Sequence, residues 1–132
     1  MITIHTKASD FLGRKVKLVF DRPFGTKHPK HGFMYELNYG YVPDTVSPDG
    51  EELDAYYLSE KVPLTEIEGI CIAYAHREND DDDKLIVVKV GDEDYTDEKI
   101  MELIYFQEQW FKTEILRKKI VNDLERKVVN IE

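Results

Sequence analysis

An α+β, mainly β chain is predicted: a small antiparallel barrel with one or two C-terminal helices packed on it. Up to Gly91 the apolar residues fall in short runs separated by turns, with no helical run between them. After Gly91 the spacing changes, and Ile100, Leu103, Ile104, Gln107, Trp110, Phe111 and Ile115 recur at helical intervals. A length of 132 residues suits a single domain, residues 1–132, with room for one core.

The elements follow in order. Residues 1–5 alternate weakly and predict a first strand. Residues 15–21 alternate better and end just before Pro23. Residues 24–32, rich in Gly, Pro, Lys and His, read as a flexible surface loop. Strands are predicted around residues 33–41, 54–58, 69–76 and 84–90. Thr96 is a candidate N-cap, with Asp97 and Glu98 in the first turn of the helix it starts. The helical stripe faces the barrel, which makes Trp110 a core residue rather than a binding platform. Residues 115–126 extend this helix or form a second one.

Composition narrows the function. The chain has 18 Lys and Arg against 27 Asp and Glu, a formal charge of −9. That balance suits divalent cations and argues against tracking nucleic-acid phosphates. The single cysteine, Cys71, excludes an intrachain disulfide, and its apolar setting predicts a buried thiol in a reducing compartment. No apolar run is long enough for a membrane span and none resembles a leader, so a cytoplasmic protein is expected.

The acidic segment Asp49-Gly50-Glu51-Glu52-Leu53-Asp54 carries the chemistry. It packs four carboxylates into six residues, and folding them together calls for a counter-charge such as a divalent metal. Pro48-Asp49-Gly50 alone reads as a solvated turn. The following apolar run, residues 53–58, carries Asp54 into a half-buried strand, where a carboxylate needs a partner or a metal. A second cluster, residues 80–83, is all Asp and precedes Lys84; it lacks the glycine and spacing of an EF-hand loop and reads as a hairpin tip.

Together, Tyr35-Glu36-Leu37-Asn38-Tyr39-Gly40-Tyr41-Val42-Pro43 and Asp49-Gly50-Glu51-Glu52-Leu53-Asp54 resemble the magnesium-dependent, barrel-fold family of soluble inorganic pyrophosphatases. The resemblance is to a short, diverged member. Glu36 and Glu52 stand in place of prolines, and Glu51 in place of an aspartate. It implies an OB-like barrel, Mg2+ as cofactor and pyrophosphate as the small-molecule substrate, with no nucleic-acid or membrane partner. It further implies metal ligands at Asp49, Glu51, Asp54 and either Asp82 or Asp83, with Asp21 matching an early acidic position. Glu51 would orient the attacking water or take its proton. Lys27 or Lys30, Tyr39, Lys84 and Lys112 would contact phosphate. His28 and His31 have no counterpart in the pattern.

Two departures bear on activity. Arg77 stands where the resemblance implies a carboxylate, and Phe111 stands where it implies a tyrosine. The strand that follows the Phe111-Lys112 position in longer members has no evident equivalent in residues 113–132. A weak or inactive relative that binds metal or phosphate is one alternative, and a hydrolase of another small phosphorylated compound is a second. A plain acidic interaction domain is a third. Apolar surface on the C-terminal helices would serve a homo-oligomer.

Overall fold

The computed structural model describes residues 6–78 and 82–118. A 3-10 turn, Ala8–Phe11, precedes β1 (Lys15–Arg22), β2 (Asn38–Val42), β3 (Leu53–Tyr57), β4 (Glu66–Arg77) and β5 (Lys84–Val88). The helix α1 (Asp97–Glu108) and β6 (Thr113–Leu116) follow. The predicted strand at residues 1–5 and the helical segment predicted beyond residue 118 lie outside the described residues.

The strands form one sheet in the order β1-β2-β3-β5-β4-β6, and an added β1–β4 pairing closes the first five into a barrel. The long strand β4 makes closure possible. Its N-terminal part pairs with β1 (Lys15↔Ile70 to Val19↔Glu66), and its C-terminal part pairs with β6 (Tyr74↔Leu116 to Arg77↔Thr113). The barrel is mixed rather than wholly antiparallel, because β3 and β5 run parallel, with Asp54 opposite Lys84 and Tyr56 opposite Ile86. Side-chain alternation reports which face is buried but not strand direction, so the sequence did not distinguish the two.

Two apolar layers result. Leu18, Phe20, Val42, Leu53, Ala55, Cys71, Leu85 and Val87 come from all five barrel strands and fill its interior. Tyr39, Tyr56, Ala73, Ile86 and Val88 share the other layer with Ile100, Ile104 and Phe106 of α1. Every residue of β5 is buried, Lys84 included, as the unbroken apolar run 85–88 requires when both faces are covered. Thr96 caps α1, its side chain accepting from the Lys99 N–H at 3.1 Å.

Three expectations change. The predicted strand at 33–41 is regular only over Asn38–Val42; before it, an isolated bridge pairs Lys27 with Met34, so the 24–32 loop is folded back on itself. α1 ends at Glu108, and residues 113–116 form β6, an added strand where the sequence suggested more helix. Trp110 therefore lies beyond the helix and is 60 % exposed rather than in the core. Thr113, Ile115 and the β-branched character of this stretch favour a strand once the unpaired end of β4 is available.

Two motif residues have structural duties. A Cβ on Gly40 would sit 1.9 Å from the Val19 carbonyl oxygen, so only glycine permits β1 and β2 to approach this closely. The buried Asn38 amide accepts from the Phe24 and Leu64 N–H groups at 2.9 and 3.1 Å. It donates to the carbonyls of Glu60 and Val62 at 3.1 and 2.9 Å, tying two loops to β2.

Candidate active site

Asp54 faces the α1 layer, opposite Tyr41 on β2 and Lys84 on β5. Its Oδ2 accepts from the Tyr39 hydroxyl and from Lys84 Nζ, each at 3.0 Å. The Lys84 side chain is only 5 % exposed, whereas that of Asp54 is 38 % exposed, so the carboxylate opens outward from a buried cation. Burial, reinforced by the Asp54 charge, holds the Tyr39 hydroxyl well above its ordinary pKa and keeps it a proton donor.

These residues border a pocket of about 570 Å³. Asp49 and Asp82 line it together with Asp54, Lys84, Arg77 and Gln107. Asp49 sits in the turn before β3, where its Oδ1 accepts the Glu51 N–H at 2.9 Å. Asp82 lines the pocket, while Asp83 turns to His76, 2.7 Å from Nδ1. Glu51 belongs to the same turn as Asp49, with its side chain exposed. Asp21 is exposed at the end of β1; partial burial and the neighbouring Asp54 and Glu52 charges raise its pKa against its own backbone hydrogen bond and Arg22.

The other predicted phosphate contacts lie outside the pocket wall. Lys27 and Lys30 are exposed in the folded loop. Lys112 Nζ is 3.8 Å from Glu78, beside a separate depression shared with Met101 and Glu114. His28 has a structural use: its Nδ1 accepts the N–H groups of Lys30 and His31, both at 3.1 Å. His31 reaches the pocket.

Arg77 and Phe111 belong together. The guanidinium lies 3.8 Å from the centroid of the Phe111 ring. Its Nε and Nη2 donate to Glu108 Oε1 and Oε2 at 2.9 and 2.8 Å. Glu108 also accepts from the Tyr56 hydroxyl at 2.6 Å and from Thr113 Oγ1 at 2.7 Å, and Gln107 Nε2 donates to the Tyr56 oxygen at 2.7 Å. Burial works against the Arg77 charge, but its bonds to the Glu108 carboxylate more than offset it and leave the guanidinium pKa raised. Burial likewise opposes ionisation of Glu108, yet Arg77 and Tyr56 hold its carboxyl below the ordinary range. The sequence reading missed Glu108, Tyr56 and Gln107. The available signal was a glutamate at the core-facing helical position four residues after Ile104, with Arg77 in need of a partner.

The donors fit a hard cation chemically. Asp49, Asp54 and Asp82 put three carboxylates, oxygen donors of the kind such a cation takes, on one pocket. Among the described residues no three of His, Cys, Asp and Glu gather tightly enough to form a ready-made metal cage. Magnesium does not need one, because it keeps most of its waters and binds through one or two carboxylates and the substrate's phosphates.

A family model described as inorganic pyrophosphatase matches residues 11–127. The fold is similar to that of the inorganic pyrophosphatase from Ehrlichia chaffeensis, with a TM-score of 0.59, 14 % identity and coverage of 86 % of this chain and 88 % of that one. The Coxiella burnetii enzyme gives a TM-score of 0.56 at 16 % identity over 86 % and 88 % of the two chains. The inorganic pyrophosphatase from Thermus thermophilus gives 0.54 at 20 % identity over 89 % and 88 %. Comparison with curated proteins gives no match. The family match over most of the chain and the mixed barrel place this chain in the inorganic pyrophosphatase family, a phosphoanhydride hydrolase family.

Proposed function

We propose that the protein hydrolyses inorganic pyrophosphate to two phosphates in the pocket bounded by Asp49, Asp54, Asp82 and Lys84, with magnesium as the cofactor. The observation that carries this reading is the Asp54 carboxylate, held by Tyr39 and Lys84 and open to a pocket that two further aspartates share. Phosphoryl transfer asks little covalent chemistry of a protein and much positioning and charge.

Magnesium, when bound at Asp49, Asp54 and Asp82, supplies counter-charge to the phosphate oxygens and makes the attacking water more acidic. The chain's own groups do the rest. Tyr39 and Lys84 fix the direction of the Asp54 carboxylate. The Lys84 ammonium, anchored in a dry position, offsets charge as the phosphate leaves. By the family resemblance Glu51, next to Asp49 in the turn though not on the pocket wall, is the group that accepts the proton of the attacking water. Its extra methylene relative to aspartate displaces that carboxylate by about 1 Å, a shift that lowers the rate on the order of 100-fold.

A second reading has one observation in its favour. Arg77, locked onto Glu108, occupies a place where a family carboxylate is implied, which suits a member that binds phosphate compounds but turns over slowly. Phosphate release from pyrophosphate across Glu51→Gln, Asp82→Asn and Asp83→Asn separates the roles. The proposal expects the first two to fall at least tenfold and Asp83→Asn to fall less. Unchanged turnover in Glu51→Gln removes Glu51 from the mechanism.

A further inference from the structure

The pocket is more aromatic than pyrophosphate and its magnesium require. A volume of about 570 Å³ lies within the range of about 300–1,000 Å³ that accommodates ligands of drug size. Pyrophosphate is a small, wholly polar anion. The face of an aromatic ring is its electron-rich side, so a ring wall offers that anion no attraction.

The lining mixes two chemistries. Asp49, Asp54, Asp82 and Lys84 are charged; His31, Phe33, Tyr35 and Trp110 are rings, and Arg77 lies over Phe111, 3.8 Å from its centroid. His31, Phe33, Tyr35 and Trp110 form a connected surface. Phe33 lies 5.4 Å from both Trp110 and Tyr35, and His31 is within 3° of parallel to Phe33. Trp110 is 60 % exposed, so its ring is not used up in the core, whereas Tyr35, 3 % exposed, backs the wall from within. No aliphatic side chain lines the pocket among the described residues. A wall of rings, with exposed Trp110 tilted 35° to Phe33 and the polar edge of His31 beside it, suits a stacked heterocycle better than a hydrocarbon chain.

We infer that this pocket takes a nucleoside 5′-diphosphate, its diphosphate on the Lys84 side and its base stacked on the Trp110–Phe33 wall. The inference rests on the phosphoanhydride hydrolysis proposed above and specifies its substrate class. In the reaction, the water oxygen bonds to the terminal phosphorus as the bond from that phosphorus to the bridging oxygen breaks. The bridging oxygen keeps the electron pair and leaves on the nucleoside monophosphate. The water's proton passes to the neighbouring carboxylate and then to solvent. The products are a nucleoside monophosphate and inorganic phosphate, with no other reactant. Base stacking on an aromatic platform strengthens binding by about 10- to 100-fold.

Trp110 is the only tryptophan of the chain, so its fluorescence reports the wall directly. The full-length protein with magnesium is titrated with α,β-methyleneadenosine diphosphate and, separately, with methylenediphosphonate, neither of which can be hydrolysed at the bridge. The nucleotide analogue is expected to quench Trp110 and to bind at least tenfold more tightly than methylenediphosphonate. Trp110→Ala is expected to lower the ratio of the two affinities at least fivefold, and Trp110→Phe to keep most of it. Equal affinities of the two analogues overturn the inference and leave pyrophosphate hydrolysis standing. Equally tight binding of an alkyl methylenediphosphonate also overturns it, because the wall then recognises apolar surface rather than a base. A nucleotide preference without any phosphate release from pyrophosphate supports the inference and sinks pyrophosphate as the substrate. Binding of neither analogue, together with no release, overturns both.

Discussion

Replacing Glu108 by glutamine is expected to destabilise the protein by about 3–4 kcal/mol, through loss of one buried charge that four donors share. Oε1 accepts from Arg77 Nε at 2.9 Å and Thr113 Oγ1 at 2.7 Å; Oε2 accepts from Arg77 Nη2 at 2.8 Å and the Tyr56 hydroxyl at 2.6 Å. The Glu108 side chain is fully buried and that of Arg77 is 11 % exposed. A buried ion pair is poor evidence of net stability, but removal of one partner strands the other, at about 3–5 kcal/mol. Glutamine must place its NH2 at one of the two oxygen positions. Either choice sets an N–H against an Arg77 N–H and loses a charge-assisted bond of about 1.5–3 kcal/mol. The hydroxyls of Tyr56 and Thr113 can turn to accept, which puts the estimate at the lower end. For a domain of this size the loss lowers Tm by roughly 10–20 °C.

Urea and thermal unfolding measure the effect, and a cycle with Arg77→Met apportions it. The double variant should be less destabilised than the sum of the singles by about 2 kcal/mol, since neither charge is then left alone. Acid titration adds an independent check. The folded Glu108 pKa is lowered, so its contribution is complete above the ordinary glutamate range and is lost as pH falls through the lowered value. Glu108→Gln should therefore flatten the acid limb of stability against pH. A single variant within about 1 kcal/mol of the parent, or a strictly additive cycle, would mean that Glu108 and Arg77 do not depend on each other for burial.

Lys84→Met removes the buried cation beside Asp54 and is expected to lower turnover on the order of 100- to 1,000-fold while the barrel stays folded, by circular dichroism and phosphate release. Gly40→Ala drives a Cβ to 1.9 Å from a backbone oxygen and should abolish soluble expression, whereas Gly50→Ala, with open space but φ of 87°, should cost only about 1–2 kcal/mol in urea unfolding. Burial pushes the Cys71 thiol up to about 12, so Ellman's reagent at about pH 8 should label native protein far more slowly than protein in guanidinium. Equal labelling rates would place Cys71 outside the core.

The sequence carried the barrel through its short alternating runs, and carried α1 through Thr96 and the Ile100–Ile104 spacing. It could not carry the parallel β3–β5 pairing, because a strand buried on both faces reads the same in either direction. Trp110 continued the helical spacing by coincidence, two residues past the last residue of α1. Asp49, Asp54 and Lys84 were legible because carboxylates and a lysine beside apolar runs demand partners, and Asp54 and Lys84 prove to be one another's. The Arg77–Glu108 pair joins residues 31 apart in the chain and was invisible to local reading. The aromatic wall is likewise assembled from the 31–35 loop and residues after α1, segments whose meeting depends on the closed barrel.

Phosphate release from pyrophosphate by the intact protein, with magnesium and with EDTA, beside Asp54→Asn, decides whether this pocket hydrolyses pyrophosphate. Magnesium-dependent release that Asp54→Asn removes is the predicted result. Release that survives in Asp54→Asn, or none from the parent with magnesium, would contradict the assignment of this pocket as the site of pyrophosphate hydrolysis.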